Sequence, residues 1–163
     1  MDAYCRRRFW ADTDASDRVY GADDILSNVI YCDDIADPSG VTLTSSTSAL
    51  LDASTWTLYP LRPGPEWLVS GSSLFPRNII RRLNGAKFSI WPDETITVHA
   101  KWGCPVVPEP VKQATTIIAT RLYKRKDSPE GVAGFGEFGV VRIKATDPDV
   151  ANMLDPYALE RVL

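Results

Sequence analysis

The sequence predicts an α+β protein in which a β-rich sub-domain, of small-barrel or sandwich-like type, lies between helical parts. Three observations lead to this fold class. Short β-branched and aromatic segments, separated by turn residues, fill residues 11–104. One long helical pattern follows, from Glu109 to about Lys126. A second, shorter helix is predicted to begin at Asp147-Pro148-Asp149, because an aspartate N-cap followed by proline is a typical helix start.

Composition and charge are those of an ordinary globular chain. Its 163 residues are 44% hydrophobic and 24% charged. The formal net charge of −3 argues against a dedicated nucleic-acid binder, because such domains are usually basic. No apolar run approaches the ~18 residues that span a bilayer, so no membrane association is expected. Cys5, Cys32 and Cys104 are odd in number and lack the spacing of metal ligands, which favours free thiols in a reducing compartment.

Residues 1–10 predict the end of a truncated N-terminal helix. Asp2–Cys5 is interpreted as its last turn, and the three arginines of residues 6–8 then add positive charge where the helix dipole favours it. Phe9 and Trp10 are expected to fold onto the core, and contact of the arginines with an acidic partner is the less favoured alternative. The segment has no apolar run of the kind found in secretory signals.

Residues 17–102 predict six or more short strands. Turn residues separate them at Asp37–Gly40 and Arg62–Pro65, and Asn84-Gly85 predicts a hairpin. From Ile96 to Trp102 the even-numbered apolar residues alternate with polar ones, which predicts one core face and one solvated face. The predicted strands are Arg18–Tyr20, Asn28–Cys32, Val41–Thr44, Thr55–Tyr59, Trp67–Ser70, Ile79–Leu83, Lys87–Trp91 and Thr95–Trp102.

Residues 105–163 predict a helical part. Pro108 and Pro110 suit the first turn of the long helix, where a missing amide proton costs little. An apolar stripe recurs along this segment at helical spacing, which is the signal for the helix. The stripe consists of Val111, Ala114, Ile118 and Leu122. Positive charge near the helix end complements the dipole. This charge comes from Arg121, Lys124, Arg125 and Lys126.

The glycine cluster GFGEFG, Gly134–Gly139, matches the spacing of a dinucleotide-binding loop in the wrong context. Such a loop leaves a strand and enters a helix, whereas this one follows a helix and leads into a predicted strand, Val140–Ile143. Phe135 and Phe138 would also crowd a phosphate. A nucleotide-binding enzyme is therefore the least favoured interpretation. We interpret residues 127–145 as a loop whose phenylalanines pack on another subunit.

No residue pattern singles out a catalytic site. His99 is the single histidine, and nothing in the sequence places Cys104 or an orienting third group beside it. A surface histidine on a strand is the favoured interpretation, with a Cys–His pair as the alternative. The chain is therefore interpreted as a protein without catalytic or cofactor-binding residues.

Acidic residues do not predict a metal site. Asp12, Asp14 and Ser16 imitate the first ligands of a calcium loop, but Asp17 stands where that loop requires glycine. The aspartates at positions 33, 34 and 37 are interpreted as loop residues around the turn at Pro38.

Tryptophans in a β-rich segment suggest a carbohydrate-binding β module as the main alternative function. Trp56, Trp67 and Trp91 are the candidates for stacking on sugar rings. Trp56 lies between two threonines, in a pattern that core packing or subunit contact explains more often.

Both ends of the chain resemble a known family. The later part of the chain resembles the C-terminal half of head-to-tail adaptor proteins of tailed phages that infect actinobacteria. The similarity, in order and wording, covers a proline-started helix with a basic end, then KRKDSPEGVAGFGEFGVVRI and DPDVANMLDPY. The opening DAYCRRRFW resembles the end of that family's first helix, and the similarity is loose in the β-rich middle.

The resemblance implies a structural virion protein rather than an enzyme. Such adaptors form a ring beneath the portal and extend the DNA channel without sequence-specific binding. The ring of this chain is expected to have twelve copies, to match the twelve subunits of the portal. They dock the head-closure (stopper) protein and then the tail. The expected location is the neck of the virion, after assembly in the bacterial cytoplasm. Because the chain is acidic overall, the basic helix end is expected to contact protein rather than DNA. Candidate subunit or portal contacts are Arg121, Lys124, Arg125, Phe135 and Phe138.

Overall fold

The computed structural model describes residues 1–47, 50–62, 64, 75–88, 94–125 and 148–159. Within them the protein is α+β, with a six-stranded antiparallel open sheet and a few helices. The chain divides into two compact units. The β unit comprises Arg7–Val107, and the helical unit combines Met1–Arg6 with Pro108–Leu163. The boundaries expected from the sequence were residues 10 and 104.

The sheet has the strand order β1-β6-β3-β5-β4, and β2 pairs with β3 outside this path. Among the described residues, β1 and β4 form its two edges. The alternation predicted for β6 is confirmed, because Ile96, Val98, Ala100 and Trp102 are all buried. The strands are β1 (Ser16–Tyr20), β2 (Ile25–Leu26), β3 (Val29–Ser45), β4 (Trp56–Tyr59), β5 (Arg77–Arg82) and β6 (Ile96–Trp102).

The predicted turn between two strands at Asp37–Gly40 is wrong, because these residues lie within the single strand β3. The two strands expected on either side of this turn are one 17-residue strand, which pairs with β6 before and after it. The extra residues form a bulge, in which the Ser39 amide donates to the Asp37 carboxylate (2.8 Å) and Gly40 has a φ of 74°. The turn-forming residues therefore bend the strand without reversing the chain, because β3 stays paired with β6 on both sides of the bulge. Asp33, Asp34 and Asp37 are therefore strand residues, and their prediction as loop residues was wrong.

The hairpin predicted at Asn84-Gly85 is also wrong, although the turn itself forms. Both residues have positive φ values, 55° and 72°, and the Ala86 amide donates to the Leu83 carbonyl at 3.0 Å. The strand before the turn, β5, already pairs with β3 on one side and β4 on the other. A strand has only two hydrogen-bonding edges, so none is left for the segment that follows the turn.

The core of the β unit lies on one face of the sheet. A single cluster of buried side chains from every strand covers this face. It includes Ile30, Ile35, Leu43, Ile80, Val98 and Trp102, all with no exposed area. Burial of aliphatic and aromatic area on this scale is the main stabilising term of such a unit.

Residues 7–12 lie against the end of β6. The Asp12 amide donates to the Trp102 carbonyl (2.7 Å), and Ala11 forms a β-bridge with Gly103. Gly103 has a φ of 108°, and a Cβ at this position would lie 2.0 Å from the Trp10 carbonyl oxygen, so the close approach requires glycine. Phe9 is buried as predicted, whereas Trp10 is 53% exposed, contrary to its expected place in the core.

The helical unit contains α1 (Asp2–Cys5), α2 (Glu109–Arg125) and α3 (Pro148–Leu154). The predicted bounds of α2 are confirmed to within one residue, and α3 begins at the predicted proline. The Leu159 amide donates to the Cys5 carbonyl (3.0 Å), which ties α1 to the chain after α3. None of the helices in the described ranges is long and apolar enough to cross a membrane.

Several predicted features lie outside the described residues. They are the strand Trp67–Ser70, most of Lys87–Trp91, the loop at 127–145 with its glycine cluster, and the strand Val140–Ile143. Lys87 and Phe88 are described and belong to no strand.

Candidate interaction surface

Helix α2 forms where prolines and an acidic residue stand at its start. The amides of Val111 and Lys112 donate to the Pro108 carbonyl at 3.1 and 3.2 Å. Glu109 lies in the first turn, where negative charge is favoured, and its carboxylate pairs with Lys112 at 3.1 Å. The helix therefore has a well-defined N-terminal end.

The apolar stripe of α2 is buried at its start and exposed at its end. Val111 and Ala114 are buried, whereas Leu122 is 59% exposed and the adjacent Tyr123 is 68% exposed. Leu122, the last residue of the stripe, therefore does not face the core. Helix α3 packs against α2 but has only seven residues. At ~1.5 Å per residue it covers about 10 Å of a helix about 26 Å long.

We define the α2 apolar end as Ile118, Leu122 and Tyr123. Single exposed apolar side chains are normal on a monomer, but these three are neighbours on the helix, and a contiguous apolar patch often marks a contact site. Arg121, which we predicted as a contact residue, is exposed within the same turn. Lys124 and Arg125 are the last two residues of α2. The structure thus brings apolar and basic residues together at one helix end.

Phe135 and Phe138, the other two predicted contact residues, lie outside the described residues. Their place relative to the α2 apolar end stays a prediction.

A shallow depression of about 390 Å³ lies along the first half of α2. Its lining comes from one helix only. The residues are Glu109, Lys112, Gln113, Thr116 and Ile117. A ligand in it would contact a single wall, and binding sites for small molecules usually enclose most of the ligand.

His99 and Cys104 each have a different partner, which disfavours the Cys–His alternative. His99 Nδ1 lies 2.6 Å from an Asp17 carboxylate oxygen on the solvated face of the sheet. The Cys104 thiol donates to the Val106 carbonyl at 3.2 Å. Burial raises the pKa of this thiol to about 12, so it is protonated at neutral pH and a poor nucleophile.

In the acidic segment at residues 12–16, Asp12 pairs with an arginine. Both carboxylate oxygens of Asp12 accept hydrogen bonds from the Arg8 guanidinium at 2.9 Å. These bonds lower the pKa of Asp12. No group of three or more potential metal-binding side chains occurs within the described ranges.

The tryptophans that suggested carbohydrate binding are not available as a set. Trp56 is buried in the core, so it cannot stack on a sugar. Trp67 and Trp91 lie outside the described residues. Trp10 is exposed and has the Arg8 guanidinium 5.6 Å from its ring centre.

A buried ion pair is the feature that sequence reasoning missed. Arg7 Nε lies 3.3 Å from Asp34 Oδ2, and the two side chains are only 9% and 4% exposed. Within the described residues no group donates a hydrogen bond to either oxygen of Asp34. Burial raises the pKa of Asp34 to about 6, against the opposing attraction of Arg7, and Asp33 raises it further. The apolar neighbours Ile35 and Ala36 were the available signal for burial.

Comparison with known proteins adds no family to this picture. No protein-family model matches the chain, and no curated protein shows significant similarity to it.

Proposed function

We propose that the chain is a structural protein of a tailed-phage virion, a head-to-tail adaptor that forms a ring under the portal. In this proposal the ring extends the DNA channel and docks the head-closure protein. The chain would act at the neck of the virion after assembly in the host cytoplasm. Its β unit would be a small barrel-like or sandwich-like sub-domain inserted into the helical part.

The observation that carries the proposal is the α2 apolar end. A helix that leaves leucine and tyrosine exposed beside basic residues has the composition of a protein interface, in which aromatic residues and arginine are enriched. The resemblance of the chain's two ends to phage adaptors supports the choice of partner.

The proposed mechanism is geometric. In a ring, each subunit presents one surface to the next copy and a different surface to the previous one. The α2 apolar end would contact a neighbouring subunit or the portal, with Leu122 and Tyr123 as buried anchors. Phe135 and Phe138 would add a second contact. Tyrosine and arginine often account for most of the binding energy at such interfaces.

The test is the mass of the purified chain by light scattering, alone and mixed with its candidate portal protein. We expect one adaptor copy for each portal subunit in the mixture. Leu122→Asp should weaken this association by about tenfold or more, because it places a charge in a desolvated contact. The variant should still fold, since Leu122 is exposed.

Leu50→Asp is the matched control, because Leu50 is similarly exposed but lies in the β unit. It should associate like the wild type. A Phe135→Ala/Phe138→Ala variant should likewise fold but lose attachment. A chain that ignores the portal, or a Leu122→Asp variant that binds as tightly as the wild type, would overturn the proposal.

A further inference from the structure

We infer that the outer face of the sheet, across β3, β5 and β4, is a binding site for single-stranded nucleic acid. Strand register places Tyr31 opposite Ile79, and Ile79 opposite Tyr59, in one row across three strands. Paired residues point to the same side of a sheet. Ile80, the next residue of β5, is fully buried, so this row lies on the face away from the core.

An arginine completes this surface. Arg81 follows Ile79 on the same face, is exposed, and has its guanidinium 5.8 Å from the Tyr59 ring centre. Tyr31 is 37% exposed and Tyr59 is half-buried. We call Tyr31, Tyr59, Ile79 and Arg81 the tyrosine platform.

Three of the four platform residues, Tyr59, Ile79 and Arg81, belong to a segment of the sequence that is locally basic. Residues 53–92 carry five basic side chains and one acidic side chain, a net charge of +4 in a chain whose total is −3. The remaining residues therefore carry −7. The low overall charge, which argued against nucleic-acid binding, hides a locally basic segment. The basic residues are Arg62, Arg77, Arg81, Arg82 and Lys87. Within β5, Arg77 and Arg81 alternate onto the face of Ile79, whereas Arg82 lies on the face of the buried Ile80.

This combination selects the class of ligand. Aromatic rings on a sheet stack on unpaired bases, and arginine supplies a cation both for phosphate and for stacking. Tyr31 and Tyr59 lie on strands separated by one strand, so their backbones are about 10 Å apart at the usual strand spacing. The two rings can therefore stack on bases of the same short oligonucleotide. Duplex DNA keeps its bases stacked inside and offers the tyrosines nothing. An acidic peptide would use the arginine but not the rings.

Fluorescence anisotropy of a labelled oligothymidine, titrated with the full chain at low salt, tests the inference. We expect saturable binding that weakens as salt rises. Tyr31→Ala/Tyr59→Ala should lower the affinity about tenfold or more, while Tyr31→Phe/Tyr59→Phe keeps it, because stacking needs the ring and not the hydroxyl.

Arg81→Ala is a second variant, which should fold because the side chain is exposed, and it should also weaken binding. Lys101→Ala is its control. It removes a basic residue from β6 and should leave the affinity unchanged. Circular dichroism checks that each variant is folded.

Equal affinity for a duplex of the same length would overturn the inference, since a duplex exposes no bases. So would tighter binding of polyglutamate, which would identify an acidic protein as the ligand. Absence of oligothymidine binding at low salt, or alanine variants that bind like the wild type, would also overturn it. The inference does not depend on the adaptor proposal, because its variants lie in the β unit and the portal experiment uses α2.

Discussion

Replacing Asp34 by asparagine should change how the stability of the protein depends on pH. The carboxyl is buried beside Arg7, and burial outweighs the attraction of the guanidinium, so its pKa is raised from 3.8 to about 6. Between these two values the folded protein holds a proton that the unfolded chain has lost. The free energy of unfolding therefore falls as pH rises through this window.

The size of the effect follows from the shift of about two units. At ~1.36 kcal/mol per pKa unit, the raised pKa of Asp34 adds about 3 kcal/mol to the free energy of unfolding below pH ~4. This contribution is lost by the time the pH exceeds ~6. An asparagine side chain resembles the protonated acid, so Asp34→Asn should abolish this term. The variant should thus be as stable as the wild type at pH 4 and more stable at pH 7.

Urea unfolding of both proteins, followed by tryptophan fluorescence from pH 4 to 7, measures the difference. Other carboxylates also titrate, and the pKa values of Asp12 and Asp37 are lowered, but they occur in both proteins and cancel in the comparison. Parallel pH curves would refute the reasoning. So would a variant that becomes less stable than the wild type at pH 7, because the ion pair would then outweigh the cost of burial.

Two further predictions concern stability. Gly103→Ala should cost about 3 kcal/mol or more in urea unfolding, because the new Cβ would overlap the Trp10 carbonyl and a positive φ strains alanine, whereas Gly21→Ala, which meets open space, should change little. Leu43→Ala should cost about 2–5 kcal/mol, as expected for a fully buried leucine, and Leu50→Ala at an exposed position should cost less than about 0.5 kcal/mol. Equal losses within either pair would contradict the packing described for that site.

The sequence predicted those elements whose signals are local. Proline at the start of α2 and of α3, and strict alternation along β6, depend only on neighbouring residues, and all three are confirmed. At Asp37–Gly40 and Asn84-Gly85 the backbone bends as these residues favour, but the predicted pairing of the flanking segments does not form. Their outcome depends on which strand occupies the adjacent edge, and this is decided by residues distant in sequence.

The sites were less predictable for the same reason. The exposure of Leu122 depends on which elements pack against α2, and the burial of Asp34 depends on the segment around Arg7. The row of Tyr31 and Tyr59 exists only once the register of β5 with both neighbours is known. None of these features follows from a pattern within one segment.

The pairing of β1 with β6 has a consequence for synthesis of the protein. Ser16 lies opposite Ala100, so β1 gains this partner only after β6 has been made. Strand β3 has the same dependence, because its second half also pairs with β6. Loops of this length make folding slow, since their entropy is lost before the contacts form. While the chain emerges from the ribosome, the β unit has unpaired strand edges until Trp102 has been added, and in that interval it is most exposed to aggregation.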